Sequence, residues 1–173
     1  MNIILVGMPG AGKSTIGVLL AKRIAFDFVD SDINIQHKTG ESLQETMDRD
    51  GYLRLREIEE EVLCELNIDN SVISTGGSAV YGHRAMEHLK KNGVVVFISA
   101  SLDELKRRVH NYENRGIARR PDQSFQDLFL ERDLLYNKYC DIRVESIKGN
   151  QDSMVEEIVD SIRNMGYKLE HAI

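Results

Sequence analysis

Residues 7–15 read Gly-Met-Pro-Gly-Ala-Gly-Lys-Ser-Thr. The spacing G-x-x-x-x-G-K-[ST] is that of a loop built to wrap phosphate. Glycines let backbone N–H groups close around phosphate oxygens without side-chain clashes. A lysine at position 13 suits the β- and γ-phosphates, and the hydroxyl of Ser14 suits Mg²⁺. Gly10, Ala11, Gly12, Lys13, Ser14 and Thr15 are therefore candidate nucleotide-binding residues. Such a loop works only between a strand and a helix. Ile3-Ile4-Leu5-Val6 precedes it as an apolar run of strand type, and Thr15 to Arg23 follows with helical spacing. The helix N-terminus adds partial positive charge at the same place.

Asp30-Ser31-Asp32 follows a second strand candidate. In open α/β sheets, residues just past strand C-termini face the ligand crevice. Paired carboxylates there suit two tasks: holding a water of the Mg²⁺ shell, and accepting a proton from a substrate hydroxyl. The alternative is structural, with Ser31 or Asp32 capping the next helix. Ser74-Thr75-Gly76-Gly77-Ser78 ends the third strand candidate, and two adjacent glycines let backbone approach a ligand. Leu53 to Glu61 is a charged helix, read as a solvated face with i,i+4 pairs such as Arg56–Glu60. Arg108, Arg115, Arg119, Arg120 and Arg132 concentrate positive charge in the second half of an acidic chain. Arginines on a closing loop stabilise charge on a transferred phosphoryl group, so one or two of these five are assigned function. The five histidines are scattered with no metal-ligand spacing and are read as surface or boundary residues.

The elements that must position these groups alternate along the chain. Strands are predicted at 2–6, 27–29, 71–75, 93–98 and 141–145. Helices are predicted at 13–25, 32–39, 42–49, 53–66, 80–91, 101–112, 124–138 and 152–165. Such alternation argues for a three-layer α/β/α domain around a five-stranded parallel sheet. Val94-Val95-Val96-Phe97-Ile98 is apolar on both faces, as a central parallel strand should be. A chain of 173 residues suits one domain. The net charge of −6 argues against nucleic-acid or anionic-membrane partners. No apolar run approaches the roughly 18 residues a membrane span needs. Without a signal-peptide pattern, and with Cys64 and Cys140 read as reduced and buried, a cytoplasmic location is expected.

Order and spacing together resemble the shikimate kinase family, in the nucleoside-monophosphate-kinase-like branch of P-loop NTPases. The resemblance covers about residues 1–165. It rests on the P-loop, Phe28-Val29-Asp30-Ser31-Asp32, Thr39-Gly40-Glu41-Ser42, and Asp50-Gly51 with Leu55-Arg56 and Glu59. It continues through Ser74-Thr75-Gly76-Gly77, Arg120-Pro121, and Arg132 before Leu135-Tyr136. The resemblance implies ATP-dependent phosphorylation of the 3-hydroxyl of shikimate, on the path to chorismate and the aromatic amino acids. By position, Lys13 and Ser14 hold ATP phosphates and Mg²⁺, and Asp30 acts on Mg²⁺ through water. Asp32 binds the attacking hydroxyl and serves as its base. Arg56 and Arg132 clamp the substrate carboxylate beside Gly76, Gly77 and Ser78, since an arginine–carboxylate fork is planar and bidentate. Arg120 is the lid arginine, and Arg108 lies against adenine. The resemblance further implies a monomer, with a substrate-binding segment at about 31–60 and a lid at about 111–124.

Several residues depart from the family pattern. Ser78 stands where the family carries a third glycine, and either narrows the pocket or adds a hydrogen bond. Asp122 follows Arg-Pro in place of a hydrophobic residue, and the lid carries extra residues around 112–117. Leu55 replaces a phenylalanine, and Leu134 a proline. The rival readings are a sister kinase for another polyhydroxy acid such as gluconate, and a nucleotide-binding module without catalysis. The chain carries no Asn-Lys-x-Asp motif of guanine recognition.

Overall fold

The computed structural model describes residues 1–109, 116–146 and 149–169. Arg115, His110, His171 and most of the extra lid residues lie outside these. Strands β1 (Asn2–Val6), β2 (Asp27–Asp30), β3 (Ser71–Ser74), β4 (Gly93–Ser99) and β5 (Ile142–Glu145) form one parallel sheet in the order β2-β3-β1-β4-β5. The central strand β1 pairs Ile4 with Ile73 of β3 on one side and with Val95 of β4 on the other. β1 and β3 are buried throughout, and β4 at every residue but Gly93; their inner residues, Ile3–Val6, Val72–Ile73 and Val94–Ile98, are apolar as strands covered on both faces require. From β1 the chain runs to β2 and β3 on one side of it, then crosses to β4 and β5 on the other. That opens a crevice at the strand C-termini.

Helices α1 (Lys13–Ile24), α2 (Ser31–Thr39), α3 (Leu43–Glu65), α4 (His83–Lys90), α5 (Leu102–Arg108), α6 (Phe125–Tyr139) and α7 (Gln151–Asn164) complete the three layers. α1 packs with α7, and α3 with α2 and α4. The two helices expected at 42–49 and 53–66 meet within α3 at Gly51, whose φ of 83° breaks the helical path. A left-handed backbone at the bend is affordable only without a Cβ. Ser42 starts α3 with a reciprocal capping box to Glu45. The helix expected at 80–91 resolves into a 3₁₀ turn, Ala79–Tyr81, and then α4 after Gly82.

The main core gathers around the sheet. A second, smaller cluster joins Ile35 of α2, Leu55, Ile58 and Val62 of α3, and Ala118. Ala118 is 2% exposed, so the inner end of the segment before Arg119 is anchored on α2 and α3. Cys64 and Cys140 are free and half-buried, less enclosed than the sequence suggests. Among the described residues, no helix is long and apolar enough to cross a membrane.

Candidate active site

A cavity of about 560 Å³ opens at the C-terminal edge of β1, β2 and β3. Its floor is the glycine loop. At Gly10, φ is +82° and a Cβ would lie 2.5 Å from Val109 Cγ2, so both backbone and space demand glycine. Gly12 precedes α1 without a side-chain cap, and the first turn carries no acid. The leading N–H groups of α1 therefore have no side-chain acceptor and form a site for an anion. Lys13 is buried, and its Nζ donates to the carbonyls of Gly7 (2.8 Å) and Met8 (3.1 Å). Burial pushes its pKa down to about 8; Asp32, Asp30 and Glu59 pull the other way, while Arg132 adds to the fall.

Ser14 Oγ donates to Asp30 Oδ2 at 2.7 Å and lies 3.2 Å from Ser74 Oγ. Asp30 also caps α2, its Oδ1 accepting from the Asp32 N–H at 3.0 Å. The cap is thus Asp30, not Ser31 or Asp32, and capping coexists with the contact to Ser14. Ser31 is fully buried and its Oγ accepts from Gly76 N–H at 2.9 Å, which ties the end of β2 to the end of β3. Asp32 lines the cavity. Burial raises its pKa, with Asp30 adding repulsion and Lys13 opposing both.

Gly76 and Gly77 separate an acidic from a basic wall. A Cβ at Gly76 would collide with Glu59 Oε1 and sit 2.8 Å from Asp32 Oδ1. A Cβ at Gly77 would sit 2.7 Å from Arg132 Nη1 and 2.8 Å from Pro9 Cδ. Arg132 is 1% exposed. Its Nη2 donates to the Ala118 carbonyl at 2.8 Å, and Arg56 Nη2 donates to that same oxygen at 3.0 Å. The Arg56 guanidinium stacks 3.5 Å from the Tyr81 ring centroid. The expected Arg56–Glu60 pair does not form: Glu60 accepts from the Arg84 N–H, while Arg54 pairs with Glu57 and Glu61.

Glu59 lines the cavity at 2% exposure, a place that its residue type alone does not predict. Its signal was positional, since it shares a helix face with the buried Leu55, Ile58 and Val62. Burial lifts its pKa to about 7, opposed by a hydrogen bond from Ser78 and reinforced by Asp32. Among the described residues, Asp32 Oδ1, Glu59 Oε1, Arg56 Nε and Arg132 Nε are buried with no hydrogen-bond partner.

Arg108 borders a second cavity of about 350 Å³, next to Ala11, Gly12, Thr15, Gln151 and Met154. Its Nη1 donates to Ser146 Oγ at 2.9 Å and to the Gly10 carbonyl at 3.3 Å. Arg120 is half exposed, pairs with Glu131 at 3.2 Å and does not line the first cavity. Glu131 also accepts from Tyr81 Oη and Gln123 Nε2. Arg119 donates to the Gln123 carbonyl at 2.8 Å. Of the departures from the family pattern, Leu55 lines the first cavity, whereas Asp122 and Leu134 lie exposed.

Residues 9–163 match the protein family described as shikimate kinase. A shikimate kinase of Haemophilus influenzae is 36% identical over 168 residues, covering 95% of this chain and 93% of that protein. The structure of a shikimate kinase from Acinetobacter baumannii in complex with shikimate superposes with a TM-score of 0.87. It is 32% identical, with 96% of this chain and 95% of that one covered. A gluconokinase from Sinorhizobium meliloti shares the fold at a TM-score of 0.55, with 19% identity over 95% of this chain and 92% of that one. Glycine loop, paired aspartates, split walls and overall sequence agree: the chain belongs to the shikimate kinase family.

Proposed function

We infer that this chain transfers the γ-phosphoryl group of ATP to the 3-hydroxyl of shikimate, releasing ADP and shikimate 3-phosphate. One observation carries the reading beyond family membership. Among the described residues, four of the five buried side-chain atoms without partners are two acceptors, Asp32 Oδ1 and Glu59 Oε1, and two donors, Arg56 Nε and Arg132 Nε; the fifth is Arg23 Nη1. Asp32, Glu59 and Arg132 line the cavity, and Arg56 joins Arg132 at the Ala118 carbonyl. Buried polar groups are normally paired, so orphans of both kinds here support a ligand that offers both donors and acceptors. A small acid bearing hydroxyls complements them, carboxylate toward the arginines and hydroxyls toward the carboxylates.

The residue roles follow from position. Lys13 and the N–H groups of Gly10 to Thr15 bind the phosphates. Ser14 and Asp30 together offer hard oxygen ligands at the loop, which fits Mg²⁺, with Asp30 acting through water. An ion held by Ser14 and Asp30 would supply positive charge to offset that of the phosphates. Asp32 holds the attacking hydroxyl and takes its proton as the oxygen bonds to the γ-phosphorus. Arg56 and Arg132 hold the acceptor carboxylate. Arg120 leaves Glu131 to reach the phosphates, and Arg108 lies against adenine beside the second cavity. Positioning and electrostatics supply most of the rate.

The segment 31–60 serves as the substrate-binding part and 111–124 as the lid of a single domain. Ala118, buried in the cluster of α2 and α3, supports that pairing. The reading extends to action as a monomer and to a cytoplasmic setting, the latter supported by the free thiols of Cys64 and Cys140. Phosphorus NMR of a mixture of enzyme, ATP, Mg²⁺ and shikimate tests the reading. A new phosphomonoester coupled to the C3 proton is expected. ATP left intact, or an ester formed only when gluconate replaces shikimate, contradicts it.

A further inference from the structure

Ser78 closes the sequence Gly76-Gly77-Ser78, and its place differs from that of the two glycines. At Gly76 and Gly77 a Cβ has no room. At Ser78 the backbone lies at φ −99° and ψ −1°, which any L-residue can adopt. The side chain is 7% exposed, and its Oγ donates to Glu59 Oε2. A serine hydroxyl carries one proton. With that proton given to Glu59, Ser78 has none left to donate to a bound substrate.

The other oxygen of the same carboxylate is Glu59 Oε1, which is buried without a partner. Oε1 and Asp32 Oδ1 crowd the same point beside Gly76. Fixing Oε2 fixes the rotation of the carboxylate, and hence the direction of Oε1. We propose that Ser78 is a positioning residue that locks the Glu59 carboxylate so that Oε1 stands beside Asp32 as a second hydroxyl acceptor. The inference rests on the reading of this cavity as the acceptor site. It replaces the expectation that Ser78 meets the substrate itself. A carboxylate at 2% exposure needs hydrogen bonds to stay ionised, and the Ser78 bond opposes the rise that burial imposes on it.

A double-mutant cycle separates this role from direct contact or mere packing. Ser78→Ala, Glu59→Ala and the double variant are compared by steady-state kinetics with shikimate. Interactions made equally in ground and transition states change KM and spare kcat. Ser78→Ala is expected to raise KM for shikimate about tenfold, in line with loss of a hydrogen bond to a charged group, with kcat and KM for ATP within about twofold. The double variant is expected to match Glu59→Ala. Effects that multiply in the double variant would overturn the proposal, as would an unchanged KM in Ser78→Ala while the wild type phosphorylates shikimate.

A second measurement needs no substrate. The ¹³C carboxyl signal of Glu59 is titrated in ligand-free wild type and Ser78→Ala. The charged groups facing Glu59 are Asp32 of α2, Lys13 of α1 and Arg132 of α6, and none is altered by the substitution. The Glu59 titration is expected to move to higher pH in Ser78→Ala. An unmoved titration overturns the proposal whatever the acceptor proves to be, and absent shikimate turnover in wild type overturns only the acceptor assignment.

Discussion

Arg56 and Arg132 reach the same atom, the carbonyl oxygen of Ala118, from helices far apart in sequence. Two guanidinium groups converge on one neutral oxygen, and each keeps a buried Nε–H without a partner. The cluster therefore offers more donors than the protein fills. Hydrogen bonds to charged groups are each worth about 1.5–3 kcal/mol. Arg56→Ala and Arg132→Ala are each expected to raise KM for shikimate by about 10- to 100-fold, with a smaller change in KM for ATP. Steady-state kinetics with each substrate varied decides this, and an unchanged shikimate KM in both variants removes the clamp.

Gly77 tests the same wall from its backbone side. A Cβ there lies 2.7 Å from Arg132 Nη1 and 2.8 Å from Pro9 Cδ, so Gly77→Ala must push one or both aside. Overpacking of this kind costs about 1–3 kcal/mol. The expected outcome is a folded protein with kcat/KM for shikimate lowered about 10- to 100-fold. Circular dichroism checks the fold, and wild-type kcat/KM would mean that Arg132 has room to move without loss.

Lys13 links the glycine loop to pH. Its folded pKa of about 8 lies below the usual 10.5 because burial penalises the cation. The native protein thus binds fewer protons than the unfolded chain between those values. Stability carries the full penalty below about pH 8 and gains as pH rises from there toward 10.5. Bound phosphates favour the cation, so nucleotide binding at pH 8 is expected to take up about half a proton through this group. Calorimetry in buffers of different ionisation enthalpy measures the uptake. Equal uptake by wild type and Lys13→Met would assign the proton elsewhere.

Arg120 and Glu131 form a half-exposed pair, which is worth little to the fold. Glu131→Gln should therefore change thermal stability by less than about 1 kcal/mol. Arg120→Ala, by contrast, is expected to lower kcat by about 10³-fold, as loss of an arginine at the transferred phosphoryl group does. KM for shikimate should stay within a few fold. A kcat near wild type would confine Arg120 to its contact with Glu131.

The P-loop, all five strands and the pair Asp30/Asp32 were legible because their signals are local. Glycine spacing, apolar runs and strand-end position need no tertiary knowledge. Arg56 was not legible as a site residue from pattern, since it sits among five other charged residues between Leu53 and Glu61. Only the fold sends Arg54 to solvent-side glutamates and Arg56 to Tyr81 and Ala118. Glu59 lies in the same run; the resemblance includes it without giving it a role, and by pattern it is marked only by sharing the face of Leu55 and Val62. Glu131 and Tyr81 gained their meaning from a contact across 50 residues, which no periodicity encodes.

The most direct test is ADP release from ATP and Mg²⁺ with shikimate, gluconate or water as the acceptor. Saturable release that depends on shikimate, and that falls to the water level in Asp32→Asn, is the result this account predicts. Release that saturates only with gluconate, or that is equal with water alone, would contradict it.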